Sequence, residues 1–477
     1  MPLVLLPLTE GLNKVRSLLS LSPGDLATPE GRSRERYRRV ALTWLAATAT
    51  RVIGLGTSLV SVPLTLRYLG VERYGMWMTI TSIVIMLGSA DLGMGNGLIT
   101  LVADAMGRED REEARRAISS AFWMLSSIAF LIVLVAAVAY PFVPWNRLFN
   151  VHSALAISES GPALMVFLAC VAVNLPLNVI GNIQTGLQNG FVNNLWAIAG
   201  SFFSLGALLL AIHFHAGLPA LILGLSGGPI LGLLLNGAQL FSSKEPSLLP
   251  SVRFFSAPAA RGLLRMGLMF FLLQLSISIA YQSDNVVIAQ IMGAGAVSAY
   301  AIPARLFNIV ASLLALVSGA MWPAYADAKA RSDGAWIRKS YVRTTIFGVG
   351  VSAALTAVLI IFGNRIIAVW VNLFSGGGPH APVIQASALL LTIFGIRCVL
   401  NAYLQPINFL MNGVNELKVQ VIAGLTMAVV NIALSIIFVK WFGVVGAVLG
   451  TVVAETFVLV IPMTIALNRT LRRLTAA

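Results

Sequence analysis

Apolar residues run along this chain in long blocks broken by short polar interruptions. A helix needs about 20 apolar residues to cross a bilayer core about 30 Å thick. Twelve such blocks can be placed, near 42–66, 75–102, 118–142, 163–185, 195–214, 218–241, 264–291, 299–322, 344–370, 384–411, 420–439 and 443–466. Backbone polar groups in lipid must be satisfied internally, so continuous blocks of this length predict helices, not barrel strands. Several are longer than a single crossing needs, which predicts tilt or extension beyond the bilayer. The expected fold class is an all-α polytopic membrane protein.

Composition agrees with the pattern. Of 477 residues, 58% are hydrophobic and 10% charged, against about 25% charged in soluble proteins. The formal net charge of +14 would point to nucleic acid in a soluble protein, but here its distribution is topological. Of 32 Lys and Arg, 24 fall in loops and tails on the side of the N-terminus, four on the opposite side (Arg67, Arg73, Arg147 and Lys440) and four inside predicted helices. That asymmetry is the positive-inside rule and predicts both termini in the cytoplasm. Anionic membrane lipids, and no nucleic acid, are the expected partners of this charge. Cys170 and Cys398 lie within predicted helices without metal-ligand spacing and read as small core residues. His213 and His215 are too few for a metal site, so no metal is expected. Residues 1–40 are polar and basic after a short apolar start, and predict a cytoplasmic tail.

The chain repeats itself at an offset of 223 residues. The shift carries the ADA of 103–105 onto that of 326–328, Arg108 onto Arg331, Asp110 onto Asp333, Arg115 onto Arg338 and Arg116 onto Lys339. It also carries Gly70 onto Gly293, Trp77 onto Tyr300, and Asn189-Gly190 onto Asn412-Gly413. Several charged matches at one offset, in topologically equivalent loops, mark a duplication. The expected organisation is a tail (1–40), a six-helix bundle (41–241), a cytoplasmic linker (242–262), a second six-helix bundle (263–467) and a short C-terminal tail (468–477). Both bundles begin on the same side, so they are parallel copies with a seam between them, an arrangement suited to alternating access.

Seven ionisable residues fall inside the predicted helices: Arg51, Asp91, Asp284, Arg305, Arg365, Arg397 and Glu455. Arg365, near a helix end, is expected to snorkel. Each of the others costs about 2.5–3.5 kcal/mol at a helix centre and must face the bundle interior, a partner or a watery cavity. The short turn between their helices predicts an Asp284–Arg305 contact. Arg51 and Arg397 at mid-depth suit an anionic substrate, because guanidinium binds phosphate in a bidentate way and keeps its proton. A buried carboxylate such as Asp91 has a proton affinity raised by desolvation and lowered beside arginine, which suits exchange of H+ or Na+. In SADLGMGNG (89–97), Gly93, Gly95 and Gly97 allow close helix approach and weaken the helix locally, so a bend or gate is expected there.

The stretches RYLGVERYGMW (67–77), DLGMGNG (91–97) and QSDNVVIAQIMGAGAVSAYAIPARLF (282–307) resemble the bacterial polysaccharide and O-antigen flippases of the multidrug/oligosaccharidyl-lipid/polysaccharide (MOP) exporter superfamily. The resemblance runs from about Val40 to the last helix. It implies two six-helix bundles around a V-shaped cavity and an inner-membrane location. The implied activity moves an undecaprenyl-pyrophosphate-linked oligosaccharide from the cytoplasmic to the periplasmic leaflet, working with a polysaccharide polymerase and glycosyltransferases. It also implies substrate-binding roles for Arg51 and Arg397, and ion coupling by H+ or Na+ at Asp91 or Asp284; Glu455, midway along the last predicted helix, is a further ion-coupling candidate. A multidrug exporter of the same superfamily would favour an acidic, aromatic pocket, whereas a peptidoglycan-precursor flippase would share the cationic logic. A membrane-embedded glycosyltransferase or polymerase would need a catalytic surface. The longest outer loop, 143–162, offers only His152 and Glu159, so no enzyme activity is expected.

Overall fold

The computed structural model describes residues 29–87, 92–319, 321, 325, 328–329, 333–375, 385–414 and 416–476. Asp91 lies outside the described residues. The first half of the chain forms α1 (Pro29–Leu87), α2 (Met94–Gly107), α3 (Arg111–Ala139), α4 (Ala154–Gly186), α5 (Gly190–His213) and α6 (Leu218–Gln239). The second half forms α7 (Ala257–Met292), α8 (Ala294–Gly319), α9 (Gly334–Ser375), α10 (Ala388–Gly413), α11 (Leu417–Phe442), α12 (Val444–Ala454) and α13 (Ile461–Ala476). A π-helical turn at Glu455–Val460 joins the last two. Among the described residues there is no strand.

Among the described residues, ten helical spans are long and apolar enough to cross a membrane. Gly70 (φ 74°, ψ 174°) divides the first of them, Leu45–Met86, into two runs. The 36-residue α7 completes the twelve crossings of two six-helix bundles, α1–α6 and α7–α13. Their outward faces carry Phe130, Leu134, Phe202, Ile361, Phe362 and Val429, a belt that only lipid would accept.

The duplication is visible in backbone detail. Gly70 and its repeat partner Gly293 (φ 91°, ψ 160°) turn the chain between consecutive helices in the same positive-φ, extended-ψ conformation, which glycine adopts without steric cost. Asp110 caps α3 by accepting from the Glu113 amide at 2.8 Å, and its repeat partner Asp333 caps α9 from the Trp336 amide at 2.9 Å. Each cap satisfies an otherwise orphaned helix donor.

Two predicted boundaries are corrected. The apolar segment 75–102 is not one continuous helix: Leu92 (φ 52°) and Gly93 (φ 69°) are left-handed before α2 starts. The expected loop 143–162 is shorter than its composition implies, because Ser153 caps α4 by accepting from the Ala156 amide. Glu159 is therefore a buried residue of α4. Its carboxylate holds Arg73 through bonds of 2.7 and 2.8 Å and accepts from the Leu218 amide at 3.0 Å. It clasps helix ends within the first bundle.

The end of the molecule that carries the 242–262 linker can be called the linker end, and the opposite one the far end. The bundles meet chiefly toward the far end. Ser298 Oγ donates to Val71 O at 2.6 Å, Asn150 Nδ2 to Ala289 O at 3.2 Å, and Trp370 Nε1 to Leu59 O at 2.6 Å. Gln290 bonds Leu148 O as well. A Cβ on Gly75 would lie 1.7 Å from Ala294 O, so only glycine fits there. Toward the linker end, Gly93 and Gly267 touch backbone to backbone: a Cβ on Gly93 would lie 2.3 Å from Gly267 O.

Candidate functional site

Between these two contact regions lies a cavity of about 370 Å³. The first bundle contributes the second half of α1, through Met78, Thr81, Ser82 and Ile85. The second bundle contributes α7, α8 and α10. Ser82 joins the two walls: its Oγ donates to Gln282 Oε1 at 3.2 Å and accepts from Asn285 Nδ2 at 2.8 Å. The remaining uncharged polar lining is amide and hydroxyl, including Asn308, Asn401, Tyr281 and Tyr300.

The only charged residues lining the cavity, among the described ones, are Arg305 and Arg397. Arg305 stands eleven residues into α8 and Arg397 nine residues into α10. At about 1.5 Å per residue, both sit roughly halfway down a membrane core. Arg397 lies over the Tyr281 ring, 5.0 Å from its centroid, a contact that partly offsets the loss of water around the guanidinium. Arg305 is exposed to the cavity and makes no ion pair or hydrogen bond with a described residue.

The carboxylates stand behind this wall. Asp284 is 0% exposed and accepts from Tyr300 Oη and Thr451 Oγ1 at 2.8 Å, Ser435 Oγ at 2.9 Å and Asn431 Nδ2 at 3.4 Å. Both of its oxygens are thereby satisfied. The predicted Asp284–Arg305 contact is not made, because Asp284 turns into the second bundle while Arg305 turns to the seam. Glu455 is also 0% exposed, with Oε1 accepting from Tyr281 Oη at 3.0 Å and Asn401 Nδ2 at 3.2 Å. Its Oε2 and Asn431 Oδ1 are buried without a partner. Tyr281, which Arg397 overlies, donates to Glu455, and Tyr300 of the same wall donates to Asp284, so the two carboxylates stand one tyrosine behind the cavity.

Arg51 is placed elsewhere. It is exposed on the first half of α1, pairs with no described residue and does not line this cavity, whose first-bundle wall begins beyond Gly70. Gly93 forms the left-handed corner described above, and Gly95 and Gly97 are buried in α2. Cys170 and Cys398 are free and buried. The uncharged lining, Asn285, Asn308, Asn401 and the two tyrosines, carried no signal in a search for charge; polar residues spaced at three or four on one helix face, such as Tyr281 and Asn285, would have marked it.

Twin helical bundles with a polar, cationic cavity at their seam are the architecture of a membrane transporter. The chain matches the family described as "Polysaccharide biosynthesis protein" over residues 40–329 and the MatE family over residues 270–437. It belongs to the polysaccharide biosynthesis protein family and is a flippase-type transporter of the MOP superfamily. It is 21% identical to the "Putative O-antigen transporter" of Salmonella typhimurium across 86% of this chain and 91% of that protein. Its fold is similar to a MATE multidrug resistance transporter solved in an inward-facing conformation (TM-score 0.75, 17% identity, 98% and 99% of the two chains). It is also similar to a MOP superfamily transporter from Pyrococcus furiosus, described as having a binding pocket of reversed polarity (TM-score 0.67, 16% identity, 92% and 96% of the chains).

Proposed function

We propose that this protein carries an undecaprenyl-pyrophosphate-linked oligosaccharide between leaflets, from the cytoplasmic to the periplasmic side, for cell-surface polysaccharide synthesis. The observation that carries this reading is a seam cavity whose lining charges, among the described residues, are two arginines and no carboxylate. Guanidinium forks match the oxygens of a pyrophosphate. The surrounding Gln282, Asn285, Asn308 and Asn401 offer donors and acceptors of the sort that sugar hydroxyls use. The same polarity argues against export of organic cations, which an arginine-lined pocket would repel. The substrate-binding residues are then Arg397 and Arg305, in place of the pair Arg51 and Arg397.

In this reading the linker end is cytoplasmic, as the positive-inside rule requires. The far-end bridges would close the periplasmic side, in keeping with the higher similarity to an inward-facing transporter (TM-score 0.75) than to an outward-facing one (0.61). Asp284 and Glu455 are the residues for H+ or Na+ coupling, since both are buried carboxylates hydrogen-bonded to tyrosines that line the cavity, Tyr300 and Tyr281. Arg305→Ala and Arg397→Ala, each reconstituted in proteoliposomes with a fluorescent lipid-linked oligosaccharide, test the proposal. The wild type moves the lipid and both variants lose most of the rate. Full rates in both variants would refute a cationic cavity.

A further inference from the structure

The two copies of the repeated loop treat their cations differently. In the first copy each arginine is answered. Arg108 pairs with Asp104 and Glu113 at 2.8 Å, Arg111 with Glu245 at 2.7 Å, and Arg116 with Glu112 at 2.5 Å. Arg115 lies 4.1 Å from the centroid of the Phe254 ring and donates to Leu249 O at 3.3 Å. In the second copy the cations persist as Arg338 and Lys339, but the two glutamates do not: the offset of 223 places Ala335 opposite Glu112 and Trp336 opposite Glu113. Arg343 joins them one turn on, where the first copy has Ser120. Arg338, Lys339 and Arg343 are all exposed, and none makes an ion pair or hydrogen bond with a described residue. With Ala335 and Val342 they line an open groove on α9.

The helix below that groove identifies the occupant. α9 has 42 residues, about 63 Å of helix, roughly twice the depth of a bilayer core. Directly past Arg343 its exposed side becomes apolar, with Ile346 69% and Phe347 56% exposed, and continues through Val358 and Ile361. Trp336, 39% exposed, stands at the other edge of the cations, as aromatic residues do at headgroup level. A cationic groove above a lipid-facing stripe on one helix fits a single molecule with an anionic head and acyl chains.

We propose that Trp336, Arg338, Lys339 and Arg343 form a binding site for an anionic phospholipid, distinct from the transport cavity and created where the second copy lacks counterparts of Glu112 and Glu113. Its phosphate sits among the three cations and its chains lie along Ile346 and Phe347. The site is independent of which lipid the cavity carries.

The test is native mass spectrometry of the full chain in detergent with phosphatidylglycerol or phosphatidylcholine added. Each basic residue near an anionic headgroup contributes about fivefold in affinity. Arg338→Gln/Lys339→Gln/Arg343→Gln is therefore expected to lose retained phosphatidylglycerol by well over tenfold and to leave phosphatidylcholine unchanged. Arg108→Gln/Arg116→Gln, in the self-neutralised first copy, is expected to change neither. Equal phosphatidylglycerol on the wild type and the triple variant would overturn the site. So would an equal loss in the first-copy variant, or displacement of phosphatidylglycerol by stoichiometric undecaprenyl pyrophosphate, which would assign the patch to the transport substrate.

Discussion

Arg397 stands in the middle of α10 against the Tyr281 ring, whose hydroxyl donates to Glu455. Because its fork also faces the cavity, truncation removes a charge-assisted partner of the substrate, worth about 1.5–3 kcal/mol. Arg397→Ala should slow flipping by roughly tenfold or more, and Arg397→Lys should restore only part, since ammonium lacks the bidentate geometry. The reconstituted flipping rate decides this, and a Lys variant as slow as Ala would show that charge alone is not what matters. Arg51→Ala, outside the cavity, should leave substrate binding unchanged in the same assay. Asp284 plays another part: its four donors come from α8, α11 and α12. Asp284→Ala would strand them in a buried site at about 1–3 kcal/mol each. Thermal unfolding in detergent should fall markedly for Ala and less for Asn, which keeps one acceptor; equal melting of Ala and wild type would contradict the network. The buried charges themselves were legible in the sequence, since an ionisable residue in an apolar block has few places to go. Which of them meet was not. That depends on how each helix is rotated about its axis, and helices apolar on nearly every side carry no amphipathic signal to fix it.

At the scale of elements, the repeat carried more information than hydrophobicity. It marked Gly70 with Gly293 and Asp110 with Asp333 as equivalents, and each pair has the same backbone role, a positive-φ turn and a helix cap. Hydropathy could not reveal the interruption of segment 75–102, because glycine and leucine count as apolar whether or not the backbone is helical. The glycines of DLGMGNG did point to a weak place, and the observed corner at Gly93 explains it. Gly93 needs a left-handed φ of 69°, and any Cβ would lie 2.3 Å from Gly267 O. Gly93→Ala should therefore force the bundles apart at that point, and membrane-extracted folded protein should drop sharply by size-exclusion chromatography. Gly54→Ala, with nothing within 4 Å of the added carbon, is the matched control and should express as wild type. A normal Gly93→Ala profile would mean that the backbone contact is not required for folding.

For the whole molecule, the question is what drives two bundles to exchange one open side for the other. The far-end bridges Asn150–Ala289, Ser298–Val71 and Trp370–Leu59 are hydrogen bonds from side chains to backbone. Each contributes about 0.5–1.5 kcal/mol, enough together to set a resting preference yet small enough to be broken in a cycle. Asn150→Ala with Ser298→Ala should shift that preference toward the far-end-open form, read as faster thiol labelling of an Asn308→Cys reporter from the far side. Unchanged labelling would remove these bonds from the gate. The direction of transport has its own energy source if the cavity arginines stay in place while a doubly charged pyrophosphate leaves. A negative-inside potential favours that exit by about 2.3 kcal/mol per charge per 100 mV, roughly 4–5 kcal/mol in all. Collapsing the potential across proteoliposomes should then slow outward flipping, while collapsing only a proton or sodium gradient should impair repeated turnover, since the emptied carrier must still reset. If the potential has no effect, charge must be compensated during the outward step. Glu455, whose Oε2 is buried without a partner, is the group able to take up the compensating cation, so Glu455→Gln would be expected to make transport voltage-sensitive.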